Sequence, residues 1–427
     1  MQKVLLFMLL WAVTLAARAQ DPTRIVVLSD THVMPTELIV NDGKAWKEFQ
    51  EADRKLLAKS AELFDVMIEQ LKRERPQFLL ISGDLTKDGE RVAHEYIVKR
   101  LNELRQLGIQ SYVVPGNHDL GTSKALIFDG KLTRPAEVIN AQEFASLYAD
   151  YGYGPQSTRD SHSLSYVCQL TDSLLLLAID SKSGQLEAAT LSWIDQQLQS
   201  ARQRGLRVMA MMHHGLIPHF YRVERYVPTA LIKDYEQQRN RLVSQGVKVM
   251  LTGHVHTSDI AMDYVSTPDS CIYDVSTGSL VSYPCHYRTL TVSPDARQLD
   301  IRTDAITAIP SESDFPAYAR EQLHDRMEAY ANNYMREYIK KKVGSFALLF
   351  AGSIVNQCAE RLADAFIIHA EGNEGARDTD YLYAELADAI EYVPTAADML
   401  HSILEDRTPY KTERENVTDD LTLRIMW

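Results

Sequence analysis

Cysteine is scarce in this chain: 427 residues hold four, Cys168, Cys271, Cys285 and Cys358. None falls in a Cys-x-x-Cys pair, which argues against a thiolate zinc site. Spacing leaves Cys271 and Cys285 two options: a bond closing a hairpin-sized loop, worth about 3 kcal/mol by loop entropy in an oxidising compartment, or buried free thiols. Positive charge is also short, 45 Lys and Arg against 58 Asp and Glu, for a formal net charge of −13. An acidic surface repels polyanions, and no basic patch interleaved with aromatics is present, so neither a nucleic-acid nor an anionic-membrane footprint is expected. One apolar run stands at the start, Val4 to Ala17, set between Met1-Gln2-Lys3 and Ala17-Arg18-Ala19-Gln20. A basic start, a short greasy centre and an Ala-x-Ala site predict a secretory signal peptide over residues 1–19 rather than stable membrane insertion. The mature chain is then expected to begin near Gln20, in the periplasm or outside the cell. Its charge moves from −13 to about −15 with the loss of Lys3 and Arg18. No repeat of fixed period is evident, which disfavours a solenoid.

What is present is an alternation. Short runs rich in β-branched residues, Arg24–Ser29, Gln77–Ser82, Ser111–Val114, Arg207–Met212 and Val247–Thr252, each stop at a polar or glycine cluster. That is the pattern of strands buried on both faces. Between several of them apolar residues recur at three- and four-residue spacing, predicting helices over Ala52–Arg75, Glu90–Leu107 and Glu187–Arg204. The fold class is therefore α/β with a parallel or mixed sheet, over residues 20–308. A polar segment with two prolines, Ile309 to Pro316, marks a boundary. Beyond it, residues 309–427 read as a mainly helical C-terminal subdomain whose role, capping, dimerisation or extension of the core, the sequence leaves open. Its ending, Leu423-Arg-Ile-Met-Trp427, fits a last strand or a docking tail.

Five segments supply metal-type ligands in order: Asp30-Thr31-His32, Gly83-Asp84, Gly116-Asn117-His118-Asp119, His213-His214 and Gly253-His254-Val255-His256. Each follows the end of an apolar run, the place where open α/β sheets bind ligands. An Asp and a His two residues apart on a strand end are expected to face the same way and grip one ion together. Asp84, with two oxygens and a glycine beside it, suits a position between two ions. Asn117 adds a neutral carbonyl oxygen. One Gly-Asp after a strand is usually just a turn; five such blocks in series point to one pocket. Phosphate drawn to an acidic protein needs local cations, and metal ions would provide them.

The series resembles the calcineurin-like metallophosphoesterase superfamily, and is most similar to its bacterial cyclic-nucleotide and glycerophosphodiester branch. All five signature blocks stand intact between Asp30 and His256. The resemblance implies a two-sheet sandwich flanked by helices. It implies that Asp30, His32 and His256 hold one metal, Asn117, His213 and His254 a second, and Asp84 both. It also implies that His118 protonates the departing alkoxide while Asp119 orients its ring, with Asn117 touching a phosphate oxygen. Such acid assistance is worth about two to four powers of ten. Two ions about 3.5 to 4 Å apart would clamp an in-line displacement at phosphorus by a bridging hydroxide. Oxygen and imidazole donors favour Fe, Mn or Zn, as divalent or mixed-valence ions.

The function expected is an exported dinuclear phosphoesterase acting on small-molecule phosphodiesters, with a phosphomonoesterase or nucleotidase as the alternative on the same site. From a different class, a catalytically idle surface binding protein is disfavoured because no ligand is missing. His214, beside the ligands, lines the pocket or is packed, and Arg288, one hairpin after them, is either a substrate contact, since Arg suits phosphate bidentately, or a solvated or structural strand arginine. Loops Val33–Glu51 and Leu120–Asp160, on the ligand side of the sheet, shape the pocket or pack on the surface. The sequence does not set the oligomeric state.

Overall fold

The computed structural model describes residues 21–220, 223–265, 267, 270–372, 379–384, 394–404 and 420–427; the leader assigned to residues 1–19 lies outside the described residues. The apolar runs form strands. A six-stranded sheet contains β1 (Thr23–Leu28), β3 (Phe78–Ile81), β4 (Gln110–Val113), β14 (His286–Val292), β15 (Gln298–Ala305) and β16 (Thr422–Met426), in the order β16-β15-β14-β1-β3-β4. A seven-stranded sheet holds β7 (Thr158–Arg159), β8 (Tyr166–Gln169), β9 (Leu174–Ala178), β10 (Arg207–Met211), β11 (Val249–Thr252), β12 (Asp259–Tyr264) and β13 (Cys271–Ser276), in the order β12-β13-β11-β10-β9-β8-β7. Both are mixed: β1, β3 and β4 run parallel, as do β9, β10, β11 and β13, while the flanking strands are antiparallel.

The sheets share one core. Ile25 and Leu79 of the first and Met209, Met211 and Leu251 of the second belong to the same buried cluster. On the outer face of the first sheet lies the helix Ser60–Glu74, burying Leu63, Phe64, Met67, Ile68 and Leu71, beside the helix Arg91–Gln106. The second sheet is covered by Ala188–Gln203 and Tyr235–Ser244, whose apolar stripes join Val208, Ala210 and Met250 in a separate cluster. The layering is α/β/β/α, the two-sheet sandwich flanked by helices that the resemblance implies.

The helix expected to start at Ala52 begins at Ser60 instead. A preceding helix, Lys44–Ala52, stops because the Asp53 carboxylate accepts the N–H of Lys55 at 2.9 Å, a local turn that competes with helix. The Leu56 N–H then bonds the Val281 carbonyl at 2.7 Å, fixing Asp53-Arg54-Lys55 against the ligand end of the sheets. The two long insertions meet. Strand β2 (Ile39–Asn41) from the first pairs with β5 (Leu126–Asp129) from the second, and β6 (Leu132–Pro135) completes a three-stranded sheet with its own buried Leu38, Trp46 and Phe128.

The helix Phe315–Lys342 starts under an Asp314 cap and packs on Leu348–Ala370, burying Ala331, Met335, Ile339, Cys358 and Leu362. Met327 and Ile367 continue this packing toward the core, where the Tyr283 hydroxyl donates to Glu371 at 2.7 Å. The chain then returns: β16 pairs antiparallel with β15, so the ending is a strand of the first sheet and the helices are bracketed by sheet on both sides. Among the described residues every cysteine is a free thiol, Cys271 and Cys285 included. No described helix is long and apolar enough to cross a membrane.

Candidate metal centre

Asp30, His32, Asp84, His254 and His256 all lie past strand ends with φ of 50°, 37°, 49°, 72° and 69°. Left-handed backbone is costly for residues with a Cβ, on the order of 1–3 kcal/mol each, and persists where the surroundings over-determine it. The two-residue spacing therefore works differently from the pleat alternation expected of it. Asp30 and His32 converge because each sits in a tight turn, not because they alternate along a strand. The turns pack so closely that a Cβ on Gly116 would lie 2.2 Å from Asp84 Oδ1, and one on Gly253 would lie 1.8 Å from Ser29 Oγ.

Seven side chains from the five segments meet at one place. His256 Nε2 lies 3.3 Å from Asp30 Oδ1 and 3.3 Å from His32 Nε2. His213 Nε2 lies 3.3 Å from Asp84 Oδ2, 3.1 Å from Asn117 Oδ1 and 3.2 Å from His254 Nδ1. His32 Nε2, 3.7 Å from Asp84 Oδ2, links the two halves. Two triads, Asp30–His32–His256 and Asp84–His213–His254, each place their ligand atoms within 4.8 Å of one another.

The donor set fits cations. His213 Nδ1 donates to the Ser82 carbonyl at 2.9 Å, so its Nε2 is the atom turned to the oxygens of Asp84 and Asn117, where it carries a proton in the ion-free centre and, once that proton leaves, a lone pair for a cation. Asp30 Oδ1 is buried and has no hydrogen-bond partner among the described residues. Burial pushes the imidazoles of His32, His254 and His256 below their ordinary range, His254 to about 3, which keeps lone pairs available. Burial opposes a charge on His213 as well, but Asp84 and Asp30 outweigh it and push that ring up to about 9. The same balance holds Asp30 and Asp84 ionised: burial disfavours their charge, and the surrounding histidines, His256 for Asp30 and His213 for Asp84, more than offset it. Two buried carboxylates that draw a proton onto His213 call for positive charge at the centre, and divalent ions supply it.

His118 stands at the edge of this cluster, its ring centroid 5.0 Å from that of His32. Its Nδ1 lies 2.8 Å from Asp88 Oδ1 and 2.9 Å from the Lys87 carbonyl. Asp88 is the orienting carboxylate, in place of Asp119. The Asp119 carboxylate is turned away and accepts the N–H groups of Gly116, Leu85 and Thr86 at 2.8, 3.1 and 2.9 Å. It is a fastening between two ligand loops, and burial pushes it up to about 7. Asp88 escaped the sequence reading because nothing in Lys87-Asp88-Gly89-Glu90 differs from an ordinary polar turn. Only folding sets it on His118.

Of the two roles open to Arg288, the structure shows the structural one and not the substrate contact. It is fully buried on β14, and its guanidinium donates to the carbonyls of Ser276, Asp259 and Asp420 and to Thr303 Oγ1, at 2.6 to 3.2 Å. These bonds tie the returning C-terminal segment to both sheets, leaving no face for a substrate. His214 is buried beside the second triad, 4.4 Å from the His254 ring, and lines a cavity of about 480 Å³ with Asn117, His254, Lys182 and Lys233.

The calcineurin-like phosphoesterase family model matches residues 23–258, and the chain belongs to that family. A probable cyclic nucleotide phosphodiesterase of Pseudoalteromonas sp. (strain SM9913) is 23% identical over 257 residues, covering 58% of this chain and 84% of the relative. A second probable cyclic nucleotide phosphodiesterase, of Synechococcus sp., is 25% identical over 226 residues, 53% of this chain and 75% of the relative. Among solved structures, a dimetal phosphatase from Danio rerio matches 67% of this chain and 97% of its own at 13% identity and a TM-score of 0.46.

Proposed function

We propose that this protein is an exported dinuclear metallophosphoesterase that hydrolyses small-molecule phosphodiesters. The observation that carries the reading is the meeting of two ligand triads, Asp30–His32–His256 and Asp84–His213–His254, around one buried centre. Asn117, 3.1 Å from His213, would join the second, and Asp84, facing His213 and His32, would serve both. When bound, the ions neutralise phosphate charge and lower the pKa of a coordinated water; Fe, Mn and Zn all suit these donors. The protein's own contribution is His118. Its Nδ1–H donates to Asp88, which leaves Nε2 as the ring atom that can pass a proton to the leaving oxygen; burial disfavours the ring's charge, but the bond to Asp88 and the nearby Asp84 outweigh that and raise its pKa in the ion-free centre. The cavity beside Asn117, His214 and His254 has room for a small ester.

Diester preference is supported by the names of the two relatives; a phosphomonoesterase or nucleotidase uses the same residues. Export rests on the Lys3-to-Ala19 leader pattern, and scavenging phosphate or head groups outside the cytoplasm suits it better than signalling on cytosolic cyclic nucleotides. The test is metal analysis of purified protein, followed by hydrolysis of bis(4-nitrophenyl) phosphate and 4-nitrophenyl phosphate by wild type and Asp84→Ala. A diester rate lost with Asp84 supports the proposal, a monoester preference moves it to the alternative, and activity surviving both the substitution and chelation rejects it.

A further inference from the structure

The turn that ends the Lys44–Ala52 helix delivers two cations to one side of the metal centre. Arg54 lines a small cavity with Val255 and Thr257, the residues on either side of His256, and Lys55 follows it in the chain, so the turn stands on the His256 side of the centre. Lys55 is committed to Asp53, 3.4 Å away. Arg54 is not: among the described residues it has no hydrogen bond or ion pair, although it is hemmed in by protein closely enough that desolvation lowers its pKa. It is exposed into a cleft of about 510 Å³ between this turn and the helix Phe315–Lys342. Across the cleft stands Arg326, half-buried and also without a polar partner among the described residues. Asn333 and the exposed Tyr330 line the same wall. The acids lining the cleft are Glu51 and Asp53; Asp53 pairs with Lys55 and also acts on Arg54 through space, without a hydrogen bond to it.

Two arginines lining one cleft, neither hydrogen-bonded to a carboxylate among the described residues, offer an anion two cationic partners. We propose that Arg54 and Arg326 make a second anion subsite, which selects phosphoesters whose departing alcohol carries its own negative charge, a carboxylate or a further phosphate. This deepens the phosphoesterase reading and rests on it. In the reaction water adds to phosphorus, the P–O bond to the alcohol breaks, and the alcohol oxygen takes the proton held by His118 while its anionic group rests between the arginines. The subsite also gives the helical region a task, since one of the two arginines belongs to it.

The test compares methyl 4-nitrophenyl phosphate with its 3-carboxy analogue, whose extra charge lies on the leaving phenol, using metal-loaded full-length protein. Wild type should favour the carboxylated ester in kcat/KM, chiefly through KM. Arg54→Ala and Arg326→Ala should each reduce that preference by about tenfold, as expected for a charged hydrogen bond, and Arg54→Lys should restore part of it. Arg134→Ala, at an exposed position on β6, should leave the ratio unchanged. Hydrolysis of both esters without preference, or a preference that survives Arg54→Ala in a variant with unaltered melting temperature, overturns the subsite and leaves the phosphoesterase standing. No turnover of either ester defeats both.

Discussion

Asp30 Oδ2 accepts the backbone N–H of His254 at 2.9 Å, a bond between the first and last ligand segments across 224 positions of sequence. Ser29 Oγ donates to the same oxygen at 2.5 Å, so Asp30 Oδ1 is left aimed at His256 and His32. The carboxylate is thus both a strut of the fold and a candidate ligand, and a cation completing it should stabilise the whole protein. Manganese or zinc at about a hundred times its dissociation constant should add roughly 2.7 kcal/mol. Thermal melts with and without chelator should show this increment in wild type and less than half of it in Asp30→Asn; an equal increment in both would sink the assignment.

The exchange of Asp88 for Asp119 as the partner of His118 separates two substitutions that the sequence makes look equivalent. Asp88→Asn should lower kcat for an alkyl ester, whose leaving oxygen needs a proton, by about tenfold to a hundredfold, and affect a 4-nitrophenyl ester far less. Asp119→Ala unpairs three backbone N–H groups and should instead cost about 2–4 kcal/mol of stability. Leaving-group dependence and denaturant midpoints tell the two apart. Asp119→Ala with normal stability and the same leaving-group sensitivity would restore it as the orienting residue.

Arg288→Met should destabilise by about 3 kcal/mol or more, because it strips hydrogen bonds from the buried carbonyls of Ser276, Asp259 and Asp420. In the fraction that stays folded, KM should match wild type. A raised KM with unchanged stability would return Arg288 to the substrate.

His219, fully buried, lies 2.8 Å from Asp259 Oδ1 and 3.4 Å from Asp274 Oδ2. Burial opposes its charge, yet the two carboxylates raise its pKa well above the ordinary imidazole value. A raised folded pKa means stability that is complete below the unfolded value of about 6.5 and fades as pH climbs through the folded one. His219→Leu, which strands two buried carboxylates, should cost about 3–5 kcal/mol at pH 6, and urea midpoints should show the gap from wild type narrowing as pH rises toward 9. A gap constant over that range contradicts a charged His219.

The α/β class, the strands that carry the ligand blocks and the seven candidate ligands were legible in the sequence, because buried strands announce themselves as β-branched runs and the ligand blocks follow their ends at short range, whereas the two-sheet sandwich came from the family resemblance alone. Tertiary structure decided which carboxylate serves His118, where Arg288 points, that Leu423–Trp427 closes the first sheet, and that Arg54 and Arg326 share a cleft. Even the convergence of Asp30 with His32 came from left-handed turns rather than from strand alternation. The division has a physical cause: local pattern reports a residue's preference for strand, helix or turn, whereas the partner of a polar side chain is set by whichever distant segment packing brings within hydrogen-bond reach, and a single chain's local pattern does not encode that partner.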